Sequence, residues 1–401
     1  MTTSTRKGLL GRQFLSLSSS RVLAAVLQAV GFLVLARIVT VGEVGIVALV
    51  TSVGIFAALV TDLGVATMLN RARAQGENEL VRGAIRTNHR TAAILAVVEV
   101  GAVVILAAYS LTPWPLVLLL VSLTLERHTE TTLNLFFADG NSRVPAQSIF
   151  GRRVLGLGVF VSLALFGVGG VLAYCAGQLV GNVAAAMQLV FVMRRMPGLD
   201  GDCAGVRTVV AASWPFWLSS VLNQVRVLDV TVVGAVLGTQ FAGLYAAAQR
   251  VINPLLLVPA AIASVLLPHS TRLKRAEAAR LSFHLSGQFM AIFAIIIPLS
   301  FFATTGVILL FGEDYRDSGT VLAVALLGLP FVALSGPLTA ILQSQGLERL
   351  IAVLSGAFAL LTLAGLVIGT LLFSMVGTAA ALGTVAFVRC AVLLAIARGN
   401  K

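Results

Sequence analysis

The chain has 401 residues, of which 58% are hydrophobic and only 11% charged, with a net charge of +12 and a mean hydropathy of +0.99. Soluble domains carry about 25% charged residues, so this composition cannot cover a water-exposed surface and excludes a soluble globular protein. In a soluble chain the positive charge would point to nucleic acid. Here the basic residues cluster in short segments between long apolar runs, which is positive-inside patterning, and no nucleic-acid partner is expected.

The runs are close to the ~20 residues an α-helix needs to cross a ~30 Å hydrocarbon core, and the alternating strands of a membrane barrel are absent. Twelve spans are expected, approximately Phe14–Ile38, Gly45–Leu69, Thr91–Leu111, Pro115–Ala138, Ile149–Gly167, Val171–Met193, Ala211–Leu237, Phe241–Leu267, Phe283–Phe311, Gly319–Leu342, Leu350–Phe373 and Val376–Ala397. The fourth is polar enough to stand out poorly by hydropathy. No small-residue cleavage site follows the first run, so a cytoplasmic tail and first span are expected rather than a removed signal peptide. Arginines and lysines fall in the even-numbered loops, among them Arg71, Arg73, Arg82, Arg86 and Arg90, then Arg143, Arg152 and Arg153, then Arg272 to Arg280. The odd-numbered loops hold only Arg316, beside Glu313, Asp314 and Asp317. Both termini are therefore expected in the cytoplasm.

An internal repeat supports two halves. EVGIVALVTSVG (Glu43–Gly54) resembles FAGLYAAAQRVI (Phe241–Ile252), and FADGNSR (Phe137–Arg143) resembles QSQGLER (Gln343–Arg349). Halves of six spans each would share one orientation, a parallel repeat about an axis along the membrane normal. The expected organisation is an all-α integral membrane protein with an N-terminal six-helix lobe over 1–195, a cytoplasmic linker over 196–208 and a C-terminal six-helix lobe over 209–401. The two bundles would face one another across a cleft. Cys175, Cys203 and Cys390 show no paired spacing, so neither a disulfide framework nor a metal site is expected.

An ionised side chain near a bilayer centre costs about 2.5–3.5 kcal/mol on insertion scales. Charged residues inside spans therefore mark partners or a polar cavity. Between Ser219 and Leu256, Arg226 and Asp229 are three apart and share a helical face. They either satisfy each other, or Arg226 and Arg250 meet an anionic group, with Asn223 and Gln224 adding donors. Guanidinium suits phosphate, which it binds through two parallel hydrogen bonds while staying charged. In the fourth span, LERHTETTLNLF, Glu126 and Glu130 share a face and Arg127 reaches Glu130 at i, i+3. Two carboxylates in one low-dielectric site cannot both ionise cheaply, so Glu126 and Glu130 are ion-coupling candidates, unless Arg127 simply neutralises Glu130. Asp229, Asp62 and Glu99 are further candidates. His128 points away from both glutamates, which argues against a metal.

Several absences narrow the function. No Gly-rich loop ending in Lys-Ser or Lys-Thr occurs, so ATP hydrolysis is not expected. Asp200-Gly201-Asp202 lies in a short linker, and no extramembrane segment is long enough for a catalytic domain. No catalytic residue and no enzyme activity are expected.

The order of LARIVTVGEVGIVALV and TDLGVATMLNR (Leu35–Arg71), LDVTVVGAVLGTQFAGLYAAAQRV (Leu228–Val251), LLPHSTRL (Leu266–Leu273), LFGEDYRDSGTVLAVALLG (Leu310–Gly328) and ILQSQGLERL (Ile341–Leu350) resembles the polysaccharide flippases of the multidrug/oligosaccharidyl-lipid/polysaccharide exporter superfamily. The resemblance covers nearly the whole chain. It implies a V-shaped transporter of twelve to fourteen helices in a bacterial inner (plasma) membrane. Such a protein alternates access and moves a polyprenyl-linked oligosaccharide to the outer leaflet for cell-surface polysaccharide. Arg226, Arg250 and Arg127 would then hold its phosphates. Partners implied are the lipid-linked oligosaccharide, membrane lipids, and a polymerase and glycosyltransferases. No cofactor is implied, and coupling to H+ or Na+ stays open. A peptidoglycan-precursor flippase of the same superfamily usually has two more spans, and a multidrug–cation antiporter would favour acids in its cavity. A polyprenyl-phosphate sugar transferase or polymerase would need catalytic residues in a sizeable loop.

Overall fold

The computed structural model describes residues 3–109, 113–196, 199, 201–257, 259, 262–263, 266, 270 and 273–399. Asp200, Arg272, the span ends Leu111 and Leu267 and most of the Leu266–Leu273 motif lie outside them. The described elements are all helical: α1 (Thr3–Ile38), α2 (Val41–Thr61), α3 (Val65–Gln75), α4 (Asn78–Ala108), α5 (Leu116–Ala138), α6 (Arg143–Leu165), α7 (Gly170–Met193), α8 (Val206–Gln224), α9 (Asp229–Leu237), α10 (Thr239–Leu255), α11 (Arg275–Phe301), α12 (Ala303–Phe311), α13 (Ser318–Ser344) and α14 (Glu348–Gly399). Among the described residues, nine helices are long and apolar enough to cross a membrane.

The expected spans map onto these helices, with breaks that hydropathy does not reveal. The second span is two helices: α2 stops at Thr61, Leu63 and Gly64 take φ of 50° and 73°, and α3 restarts at Val65. A Cβ on Gly64 would lie 2.8 Å from the Trp217 Cα, so this position needs glycine both for its left-handed φ and for the close approach. Trp217 Nε1 donates to the Val60 carbonyl at 2.8 Å and satisfies an acceptor freed by the break. The seventh span passes through a 3₁₀ turn at Val225–Leu228 between α8 and α9. The ninth is interrupted at Phe302. The last two are the limbs of α14, where Phe373 and Ser374 leave helical conformation. Helix α5 is 23 residues long, and its Glu126, Arg127 and Glu130 are what hide it from hydropathy.

The chain forms two compact units. The first is Met1–Val39 with Val50–Val221, and the second is Thr40–Leu49 with Leu222–Lys401. The division thus falls inside α2 and inside α8. In the first unit, α5 packs with α3, α4 and α7, and α6 packs with α1 and α7. Its core includes Leu69, Leu133, Leu135, Phe136 and Val209. In the second unit, Leu334, Leu338, Ile341, Cys390 and Leu393 form a core beneath α11, α13 and α14. Large apolar side chains such as Val97, Leu165, Phe166 and Leu309 stay exposed, as a lipid-facing surface requires.

The sequence repeat has a physical counterpart. Gly45 and Gly243, which occupy the same position in the two matched segments, press against each other in the second unit. A Cβ on Gly45 would lie 2.9 Å from Gly243 N, and one on Gly243 would lie 3.1 Å from Gly45 N. Between membrane helices lipid tails remove the hydrophobic driving force, so close backbone approach at small residues supplies the packing energy. Gly243→Leu is therefore expected to destabilise by about 1–3 kcal/mol and lower the thermal midpoint in detergent. Gly287→Ala on α11, where an added Cβ meets nothing within 4 Å, should leave that midpoint unchanged.

Candidate functional site

Helix α5 carries the polar interior of the first unit. With 3.6 residues per turn, Ser122, Glu126 and Glu130 fall on one face, while Thr124, Arg127 and Thr131 fall on another. The first face meets α6 and α7. Arg153 Nη2 lies 2.5 Å from Glu126 Oε1 and its Nη1 donates to Gln178 Oε1 at 3.3 Å. Arg152 Nη2 pairs with Glu130 and lies 3.5 Å from Glu126 Oε1. Asn182 Nδ2 donates to Ser122 Oγ at 2.8 Å and to Glu126 Oε2 at 3.4 Å. The Arg152 side chain is only 2% exposed.

Arg152 and Arg153, read in sequence as loop cations, thus lie within α6 and neutralise both glutamates. Arg127 does not reach Glu130 as its spacing implied. It crosses to the helix break instead, where its Nη2 donates to Asp62 Oδ2 at 3.0 Å and Thr131 Oγ1 donates to Asp62 Oδ1. Asp62 is the first residue after α2, and its side chain is 1% exposed against 30% for Arg127. The physical reason is that α2 ends there, so its last turn opens a polar gap that α5 fills. Further along α5, Thr124 Oγ1 donates to Glu99 Oε2 on α4 at 2.7 Å. The His89 and His128 rings meet edge to face at 4.5 Å.

Two cavities adjoin this network. One of about 160 Å³ is lined by Arg21, Ala66, Arg127, Glu130, Thr131, Leu133, Asn134, Phe137 and Ile149. Arg21 stacks over Phe137, with its guanidinium carbon 5.9 Å from the ring centre. A smaller cavity of about 10 Å³ lies among Thr61, Asp62, Asn88, Thr91, Thr124, Arg127 and His128. Glu130 brings a carboxylate to the larger cavity, but its charge is met by Arg152 from α6.

In the second unit Asp229 is buried at the start of α9, where its hydrogen bonds come from Tyr245 and the Val230 N–H. The Val230 N–H donates to its Oδ1 at 2.7 Å and Tyr245 OH to its Oδ2 at 3.1 Å, while Gln249 Nε2 donates to Tyr245 OH at 2.8 Å. Arg226 in the 3₁₀ turn is exposed, as are Asn223 and Gln224 on the last turn of α8, and Arg250 is half-buried on α10. Arg152, Arg153, Asn182, Thr124, Thr131 and Tyr245 were not singled out from sequence. For the arginines a signal existed: a doublet just inside an apolar run cannot stay charged without partners.

A family model described as "Polysaccharide biosynthesis protein" matches residues 10–274. No curated protein matches the chain. Among solved structures, the chain is similar to the lipid II flippase MurJ in an inward closed conformation, with 13% identity, a TM-score of 0.76, and coverage of 96% of this chain and 87% of that one. It is also similar to a Vibrio cholerae MATE transporter, with 16% identity, TM-score 0.67, and coverage of 99% and 98%. A third is a MOP superfamily transporter from Pyrococcus furiosus, with 15% identity, TM-score 0.67, and coverage of 100% and 98%. These likenesses establish the fold, that of the MOP-type transporters. With its family model matched over most of its length on that fold, the chain is a multi-pass membrane protein that belongs to the polysaccharide biosynthesis protein family.

Proposed function

We propose that the protein is a flippase that moves a polyprenyl-linked oligosaccharide from the cytoplasmic to the outer leaflet of a bacterial inner membrane for cell-surface polysaccharide synthesis. Both termini are cytoplasmic in this reading, and the protein acts as a transporter rather than an enzyme. The observation that carries it is the 160 Å³ cavity with Arg21 and Arg127 on its wall, inside a chain of this family. Arg21 brings a guanidinium to this wall and Arg127 a second, shared with Asp62, while the Glu130 carboxylate is already met by Arg152, a balance that favours an anion. A pyrophosphate offers several oxygens for paired N–H···O bonds, and Phe137, Asn134 and Thr131 supply the apolar ring and hydrogen-bonding groups that a sugar needs. In the second unit Arg226 and Arg250, with Asn223 and Gln224, are likewise assigned to binding an anionic head group. The lipid tail stays in hydrocarbon while the head group passes by alternating access. One of the similar folds is itself named a flippase for lipid II. A multidrug–cation antiporter is less well supported, because a cation would meet the two arginines first.

In a strain lacking the gene, lipid-linked repeat units should accumulate on the cytoplasmic face, detected by their inaccessibility to an external glycosidase. Accumulation outside would indicate a polymerase instead. Arg226→Ala and Arg250→Ala should each lower export at least tenfold at normal protein abundance, and export at wild-type rates in both would remove them from the phosphate role.

Arg127→Ala needs a control, because it leaves the Asp62 carboxylate buried without its cation. That loss is expected to destabilise by about 3 kcal/mol. Arg127→Ala with Asp62→Asn should recover most of the thermal midpoint yet still fail to export. Recovery of export in the double variant would make the pair structural and leave no substrate role for Arg127.

A further inference from the structure

Of the acids inside the spans, four are held by partners. Asp62 binds Arg127 and Thr131, Glu126 and Glu130 meet Arg153 and Arg152, and Asp229 is held by Tyr245 and the Val230 N–H. Glu99 differs. It is 6% exposed on α4, its Oε2 accepts only from Thr124, and its Oε1 is buried with no hydrogen-bond partner.

Among the described residues, no charged group on the helices packed around it is paired with Glu99. On α5, Arg127 is directed to Asp62, His128 to His89, and Glu126 and Glu130 to α6. On α3, Arg73 pairs with Asp139 and Arg71 with Gln75. On α2, Asp62 is taken by Arg127. On α4 itself, His89 and Arg90 lie about 14 Å back along the axis at 1.5 Å per residue.

A polar thread nevertheless reaches Glu99. Arg127 and Thr131 line the larger cavity, and Thr131 donates to Asp62. Asp62, Arg127 and Thr124 line the smaller one, whose volume of about 10 Å³ is near the space one water needs. Thr124 is in turn the donor to Glu99. We propose that Glu99 is the proton-binding site that couples transport to a proton gradient, loaded from the interior cavities through the Thr124 hydroxyl. The use of that proton rests on the transporter reading, but the site itself does not.

The step balances. A proton arriving from the small cavity bonds to Thr124 Oγ1 while the hydroxyl's own proton passes to Glu99 Oε2, so a carboxylate and one H+ become a neutral carboxyl. Release reverses it. Neutral Glu99 lies quietly between α4 and α5, whereas ionised Glu99 faces no cation and favours an arrangement that admits water. That difference between two states is what an ion must supply to drive a conformational cycle.

The test uses the full-length protein in lipid nanodiscs, with infrared difference spectra taken between acid and alkaline buffer. The wild type should show a carboxylic-acid carbonyl band that disappears on deprotonation. The band should be missing from Glu99→Gln and shifted in frequency in Thr124→Val, which loses the hydrogen bond but keeps the acid. In cells, Glu99→Gln should lose at least tenfold in export and Glu99→Asp should recover part of it. Identical wild-type and Glu99→Gln spectra, or wild-type export by Glu99→Gln, would overturn the inference. An incorrect oligosaccharide assignment would show differently, as unaltered surface polysaccharide on gene deletion with the Glu99 band intact.

Discussion

A charge removed from water must be met by an opposite charge or by hydrogen bonds, and a hydrocarbon surround leaves no third option. That constraint organises the first unit. Helix α5 brings Glu126, Arg127 and Glu130 into a bundle whose outer surface is apolar, and three neighbouring segments answer them. Helix α6 contributes Arg152 and Arg153, α7 contributes Gln178 and Asn182, and the break after α2 contributes Asp62. Losing a charged member would weaken the compensation of another, so the network couples four segments that hydrophobic packing alone would join loosely in lipid.

The break at Asp62–Gly64 shows how backbone and charge are linked. Asp62 keeps the last backbone bond of α2, its N–H donating to the Ala58 carbonyl at 3.1 Å. The left-handed residues Leu63 and Gly64 end the helix there, Trp217 takes up a freed carbonyl, and Asp62 faces Arg127 and Thr131. The 3₁₀ turn at Val225–Leu228 does comparable work in the second unit. It leaves Arg226 exposed and sets Asp229 at the head of α9 against Tyr245. In both units, a distortion inside an apolar run marks the place where an acid is held.

Hydropathy made the helical class and the span positions legible, because a run of twenty apolar residues has few other fates. Repeat matching found Gly45 and Gly243, which turned out to touch. The partners of the buried charges were not legible. Spacing along one helix offered Arg127 with Glu130 and Arg226 with Asp229 as one of two readings each, since i, i+3 neighbours are all that one helix can reveal. The side chains that hold these acids come from other helices, 16 to 69 residues away, and depend on crossing points no single sequence specifies. Arg152 and Arg153 were assigned to a loop because positive-inside reasoning collects arginines near span ends. Their burial follows from glutamates on α5 that need a cation more than the headgroups do.

The imbalance of the network bears most directly on function. Arg127 Nε, His128 Nδ1, Arg152 Nε and Nη1 and Asn182 Oδ1 are buried without a hydrogen-bond partner. A rigid scaffold would satisfy such atoms, since each orphan costs about 1–3 kcal/mol. Of these residues Arg127 also lies on the wall of the 160 Å³ cavity, so one unspent donor belongs to a side chain that faces polar space. The network can also exchange partners without first breaking a closed set of bonds. The first unit thus combines a charge network balanced enough to sit in lipid with a polar cavity beside it.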